Sequence, residues 1–120
     1  MKSGIHKYDI NSEYFFEEGC FITELSNTPD DPEVSIARAR LEPGKTTKWH
    51  YLKGIAERYV ILEGIGRVEV GDNEPQIVNI GDVVIIPSLV RQRISNIGAS
   101  DLVFLAICSP RFKEALYVSM

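Results

Sequence analysis

Short runs of alternating apolar and polar residues fill most of the chain after residue 19. The runs cover 20–26, 34–41, 46–52, 56–62, 67–70, 76–80, 83–87, 91–96 and 101–108, and glycine-containing turns separate most of them. A period of two, broken by turn residues at intervals of roughly 8 to 12 positions, is typical of strands in sandwiches and barrels. The pattern therefore predicts an all-β fold. One stretch, 111–118, suits either a single helical turn or a closing strand.

The length of 120 residues predicts a single domain spanning 1–120, with residues 1–19 packed on the barrel or on a partner. The N-terminal sequence lacks the apolar core of a secretion signal. No apolar run approaches the roughly 20 residues needed to cross a bilayer. We therefore expect a cytoplasmic protein that does not associate with membranes.

The charge of the chain excludes one broad class of partner. A net charge of −4 and a pI near 5.2 argue against nucleic-acid binding, which depends on a basic surface. Cys20 and Cys108 have no Cys or His partner at zinc-site spacing. Both cysteines are predicted to be small buried thiols, not parts of a metal knuckle or a disulfide.

Two stretches carry polar residues at fixed distances between turns. The first, 44–64, has His50 after five intervening residues, and six residues separate Glu57 from its closing glycine. The second, 81–96, has Pro87 after five intervening residues and ends at an asparagine. Together they resemble the paired motifs of the cupin superfamily. The resemblance implies a double-stranded β-helix, the jelly-roll barrel, with one pocket.

Three positions depart from the cupin motifs. Leu52 replaces the second histidine, Leu89 replaces the motif glycine, and Gln92 replaces the third histidine. The resemblance implies a set of three histidines and a glutamate that holds iron, manganese, zinc or nickel. Of this set His50 and Glu57 remain, and Gln92 stands in the place of a histidine. An amide oxygen is a weaker ligand than an imidazole. We therefore expect a divalent transition metal to be weakly bound or absent. The alternatives are a three-ligand metal site and a metal-free pocket in which the three side chains bond to one another.

The same residues suggest acid–base chemistry that needs no metal. His50 beside Glu57 is a base with an orienting carboxylate, and Tyr59 lies two residues further on the same strand face, where it could donate a proton. These three residues are the catalytic candidates. The alternative is a histidine that is paired for structure only.

Arginine and aromatic pairs raise the question of which strand face is inward. Arg38 and Arg40 share one face, which predicts a carboxylate or phosphate ligand if that face is the pocket. If the face is external, the two arginines are solvated or paired with acids such as Glu24. Trp49 and Tyr51 point away from the predicted pocket, so we expect this surface to be covered, either by the N-terminal segment or by a second subunit. The resemblance implies a homodimer packed sheet to sheet.

The first functional hypothesis is a barrel that binds a small polar or anionic molecule through His50, Glu57 and Gln92. The rivals are a metal-dependent oxygenase or isomerase and a metal-free proton-transfer enzyme. A structural or accessory barrel is a further alternative. The fold alone does not decide among them, so the enzyme question stays open at this stage.

Overall fold

In a computed structural model that describes all 120 residues, the chain forms eleven strands and two short 3-10 turns. The strands are β1 (Tyr14–Phe15), β2 (Phe21–Ser26), β3 (Ser35–Leu41), β4 (His50–Leu52), β5 (Ala56–Glu63), β6 (Gly66–Val70), β7 (Gln76–Val78), β8 (Val83–Ile86), β9 (Gln92–Asn96), β10 (Leu102–Ser109) and β11 (Tyr117–Ser119). The 3-10 turns are Ile10–Ser12 and Glu114–Leu116. The ambiguous stretch 111–118 thus contains a helical turn followed by most of a closing strand. None of the helical elements has the length and apolar character that a membrane span requires.

The strands pair antiparallel in two sheets. The six-stranded sheet has the order β1-β2-β3-β10-β5-β8, and the five-stranded sheet has the order β11-β4-β9-β6-β7. Strands that are adjacent in each sheet are mostly distant in sequence, because the chain passes repeatedly from one sheet to the other. This is the winding of a double-stranded β-helix, and it confirms the all-β prediction.

The space between the sheets is apolar at one end and polar at the other. Along β5, Tyr59 and Ile61 are buried between the sheets, whereas Leu62 is exposed. Ile61 packs in the main core with Phe104 and Ile94, and burying each such side chain stabilises the fold by roughly 1.5–3 kcal/mol. A second, smaller cluster contains Leu52, Ile55 and Cys108. Polar side chains lie between the two clusters, and they define the end of the barrel where the functional site is found.

Turn geometry explains why a glycine stands at position 64 and shows that the leucine at position 89 has a disfavoured backbone conformation. Gly64 has a φ of +85°, and a Cβ atom there would lie 2.7 Å from the carbonyl oxygen of Asp101. Leu89, at the place of a motif glycine, has a φ of +69°. Its N–H still donates to the carbonyl of Leu52 at 2.8 Å, so the turn is kept with a residue that disfavours this conformation.

The arginine pair lies on the outside of the barrel. Arg40 bonds to Glu13 at 2.7 Å and lies 3.4 Å from Asp101, and Arg38 lies 3.6 Å from Glu13. The external alternative therefore holds, with Glu13 as the acidic partner where Glu24 was suggested. Because this face does not line the pocket, the two arginines are not placed to hold a carboxylate or phosphate ligand there.

The chain's own arginines cover Trp49. The guanidinium carbons of Arg91 and Arg93 lie 4.4 Å and 4.5 Å from the centre of its ring system. Arg91 and Arg93 thus point away from the pocket, as strand alternation predicts. These contacts of Arg91 and Arg93 with Trp49 were not expected, and cover by the N-terminal segment or a second subunit stays a prediction.

Candidate functional site

A cavity of about 50 Å³ opens at the polar end of the barrel, with room for roughly four water molecules. The aromatic residues that line it are Tyr14, Phe16, Phe112 and Tyr117. The titratable side chains on its walls, apart from the tyrosines and Cys108, are Glu18, Glu24, His50 and Glu57. Tyr14 and Glu24 are exposed to solvent, so they mark the mouth of the cavity. Leu52 contributes to the wall and leaves this space open.

His50 is held in one orientation by two hydrogen bonds. It is the first residue of β4, it is 2% exposed, and its ring stacks on that of Tyr117 at 5.0 Å. Nδ1 lies 2.7 Å from the carbonyl oxygen of Lys48. Because a carbonyl only accepts, Nδ1 carries a proton. Nε2 lies 3.1 Å from Oε2 of Glu18, so a single proton shared between these two atoms completes a histidine–carboxylate pair.

Glu18 is the functional residue that the sequence reasoning missed. It lies between β1 and β2, and its backbone carbonyl accepts a hydrogen bond from the N–H of Lys48 at 2.8 Å. The thiol of Cys20 donates to its Oε1 at 2.9 Å. The prediction gave the role of orienting carboxylate to Glu57, but no hydrogen bond joins Glu57 to His50. The only signal in the sequence was the expected packing of residues 1–19 on the barrel.

Glu57 belongs to a separate hydrogen-bonded chain. Its Oε1 accepts from Nε2 of Gln92 at 2.8 Å, and the thiol of Cys108 lies 3.7 Å from its Oε2. Burial raises the pKa of Glu57 to about 8, and the negative charge of Glu18 adds to the rise. Glu57 is therefore mostly a protonated carboxylic acid at neutral pH.

Tyr59 and Gln92 lie behind the cavity wall. The Tyr59 hydroxyl donates to Oε1 of Gln92, and burial holds the pKa of Tyr59 well above its ordinary range. Neither residue is among those that line the cavity. Tyr59 thus contacts Gln92, which in turn contacts Glu57, and the arrangement makes Tyr59 a positioning residue for that carboxyl group.

The predicted metal ligands are close in the fold but do not fit a metal ion in this arrangement. His50 and Gln92 are register partners in neighbouring strands. However, Nε2 of His50 faces Glu18, and the Gln92 oxygen that could act as a ligand accepts from Tyr59. No group of three or more His, Cys, Asp and Glu side chains is placed to hold a metal.

The site combines a base and an acid that do not neutralise each other. The Glu18 carboxylate, which His50 holds at 3.1 Å, can accept a proton, and protonated Glu57 can donate one. Both His50 and Glu57 reach the same cavity. The arrangement is therefore able to bind a small molecule through hydrogen bonds and to move a proton on it.

These two facing sheets, with a cavity between them, define a double-stranded β-helix protein. A family model described as a cupin domain matches residues 37–108. The chain belongs to the cupin family, which confirms the resemblance seen in the two motifs.

Known proteins related to this chain include a curated sequence and several solved structures. The uncharacterized protein MJ1618 of Methanocaldococcus jannaschii is 33% identical over 110 residues, which cover 90% of this chain and 87% of that protein. KdgF from Halomonas sp. has a TM-score of 0.80 at 17% identity, covering 94% of this chain and 100% of that structure. Pac13 from Streptomyces, a nucleoside dehydratase, has a TM-score of 0.78 at 18% identity, covering 98% of this chain and 92% of that structure. At such low identity, the two structures support the fold alone.

Proposed function

We propose that this cupin binds a small molecule directly through side chains in the cavity, without a resident metal. The observation that carries the proposal is that two polar groups of different character, the His50–Glu18 pair and Glu57, reach one partly enclosed cavity. A concave, mainly apolar site with a few convergent polar groups is the usual form of a ligand site.

An unpartnered hydroxyl supports the same proposal. The Tyr117 hydroxyl is buried and has no hydrogen-bond partner within the chain. Tyr117 lines the cavity and stacks on His50. A buried polar atom without a partner costs about 1–3 kcal/mol, and a ligand in the cavity would supply a partner.

Thermal unfolding in the presence of small molecules tests the binding proposal. We expect the midpoint to rise with at least one of glycerol, acetamide, acetamidinium and hydroxyacetone, because a ligand of the folded state stabilises it. Ala106→Leu, which fills the cavity, should abolish the rise, whereas the exposed control Ala99→Leu should retain it. No shift with any compound, or an equal shift in Ala106→Leu, would contradict the proposal. Elemental analysis of the purified protein checks the metal-free part, and stoichiometric metal that is lost in His50→Ala would overturn it.

Proton transfer is a second candidate function, favoured by the separation of base and acid across one cavity. Glu18, oriented by His50, would take a proton from carbon next to a carbonyl, while Glu57 donates its proton to the carbonyl oxygen, which gives an enol. Hydroxyacetone in D2O is the probe, with deuterium incorporation followed by NMR. We expect exchange faster than in buffer, and slower exchange with His50→Gln. Equal rates in protein and buffer would reject catalysis and leave the binding function standing.

We also propose that a second copy of the chain covers the outer face of the six-stranded sheet. Val83, Val60 and Leu105 are adjacent there in three neighbouring strands, and β8 is an unpaired edge. Val83 is 56% exposed and Ile85 is 69% exposed. Identical apolar edges join readily about a two-fold axis. Light scattering should give twice the chain mass of 13.5 kDa, and Ile85→Glu should give the monomer. A monomeric unmodified chain at all concentrations would refute the dimer.

A further inference from the structure

The carboxyl groups of the cavity lack arginine partners, unlike four acidic residues elsewhere in the chain. Outside the cavity, the acids that bond to arginine are Glu13, Glu69, Asp72 and Asp101. The cavity lining contains three glutamates and one histidine, but no lysine or arginine. One of the three, Glu18, is paired with His50. Glu24 and Glu57 therefore face the cavity without a basic side chain beside them.

Phe16 stands nearly at right angles to three other aromatic residues of the cavity. The ring of Phe16 is nearly perpendicular to those of Tyr14, Phe112 and Tyr117, with interplanar angles of 79°, 82° and 80° and ring-centre distances of 6.5, 6.2 and 5.1 Å. Perpendicular rings around a small space present both faces and edges to it. Aromatic faces attract cations, and boxes of such rings are used to bind ammonium groups.

We propose that the ligand of this cavity is a small organic cation of the amidinium or ammonium class. The inference rests on the proposed binding function and narrows it. The Glu24 carboxylate at the mouth receives the N–H groups. An oxygen of the protonated Glu57 in the interior accepts one more hydrogen bond, and the rings of Phe16 and Tyr117 contact the apolar part and the charge. An anion would meet the Glu24 carboxylate at the mouth and no lysine or arginine in the lining, so the cavity favours a cation over an anion.

The space available limits the size of the cation. A cavity of about 50 Å³ admits a ligand of only a few non-hydrogen atoms unless part of it extends through the mouth. Binding energy is limited to about −1.5 kcal/mol per non-hydrogen atom for very small ligands. Test compounds of this size should therefore be used at concentrations up to tens of millimolar.

Three compounds of the same planar shape isolate the effect of charge. Acetamidinium, acetamide and acetate carry charges of plus one, zero and minus one, and their binding to the full chain can be followed by NMR titration at constant ionic strength. We expect the dissociation constant of acetamidinium to be at least about tenfold lower than those of the other two, since charge-assisted hydrogen bonds are roughly twice as strong as neutral ones. Equal or tighter binding of acetamide or acetate would overturn the cation inference while supporting the binding function. Absence of binding by all three would also overturn the inference, and the wider set of compounds above would then decide the binding function separately.

A variant at the mouth tests the role of charge without disturbing the interior. Glu24→Gln should weaken acetamidinium binding about tenfold and leave acetamide binding within about twofold. Glu63→Gln is the matched control, because Glu63 is an exposed strand residue outside the cavity lining. Equal weakening of both compounds in Glu24→Gln, or weakening in Glu63→Gln, would contradict the proposed contact.

Discussion

Replacement of Glu57 by glutamine should change how the stability of the protein depends on pH. Burial raises the pKa of Glu57 from an ordinary value of 4.5 to about 8. Between these values the folded protein keeps the proton and the unfolded chain releases it. The free energy of unfolding therefore falls as the pH rises from about 4.5 to about 8, and this contribution is level above about 8.

The size of the effect follows from the same two values. A rise in pKa from 4.5 to about 8 corresponds to roughly 5 kcal/mol of preference for the protonated carboxyl. Relaxation of the fold around the ionised group reduces this figure, so we expect a measured loss of about 2–5 kcal/mol between pH 5 and pH 9. Glutamine resembles the protonated acid and still offers an oxygen to Gln92. Glu57→Gln should thus be within about 1 kcal/mol of the unmodified chain at pH 5 and clearly more stable at pH 9.

Urea unfolding at several pH values provides the measurement. The control is Glu63→Gln, a change of the same kind on the same strand at an exposed position. It should follow the unmodified chain at every pH. If the free energy of unfolding changed with pH in the same way for the unmodified chain and Glu57→Gln, Glu57 would be ionised in the folded protein near neutral pH. This result would refute the assignment of Glu57 as the acid of the site.

Three further substitutions test the turns and the histidine pair, each by urea unfolding. Leu89→Gly should raise the free energy of unfolding by about 0.5–1 kcal/mol, because it removes a left-handed leucine, and a loss of stability would contradict this. Gly64→Ala should lower the free energy of unfolding by about 3 kcal/mol or more, since its Cβ would lie 2.7 Å from a backbone oxygen. Gly44→Ala, with nothing near its Cβ, should lower it by only about 1 kcal/mol. Similar losses in the two variants would reject the close contact at Gly64. Glu18→Ala should lower the free energy of unfolding by about 1–3 kcal/mol, because it leaves Nε2 of His50 without a partner, and Glu18→Gln should lower it by less. An unchanged stability of Glu18→Ala would reject the pairing of Glu18 with His50.

The strands and the two motifs could be predicted because they depend on local patterns. Alternation places Tyr59 and Ile61 on one face of β5 in any barrel, and the turn at Gly64 needs a residue without a side chain. The proximity of His50 to Gln92 also follows from motif spacing, since both lie on paired strands. These features depend on the period of the strand and on turn geometry, and both can be inferred from the order of residues in the sequence.

The partner of His50 could not be predicted in the same way. Glu18 approaches from a segment with no strand pattern of its own, and the contact depends on how that segment packs across the barrel end. Alternation likewise places Arg38 and Arg40 on one face but does not say whether that face is internal. Such choices depend on tertiary packing, which here brings Glu13 to the two arginines.

The most direct test of the account is whether a ligand enters the cavity itself. Methyl groups of Ile22, Ala37, Leu52 and Ala106 line the cavity, and their NMR signals can be followed as acetamidinium or acetamide is added. The account predicts saturable shifts that are concentrated on these four residues and that disappear in the cavity-filling variant at position 106. Shifts spread over exposed methyl groups, or saturable binding that leaves these four signals unchanged, would show that the cavity is not the binding site.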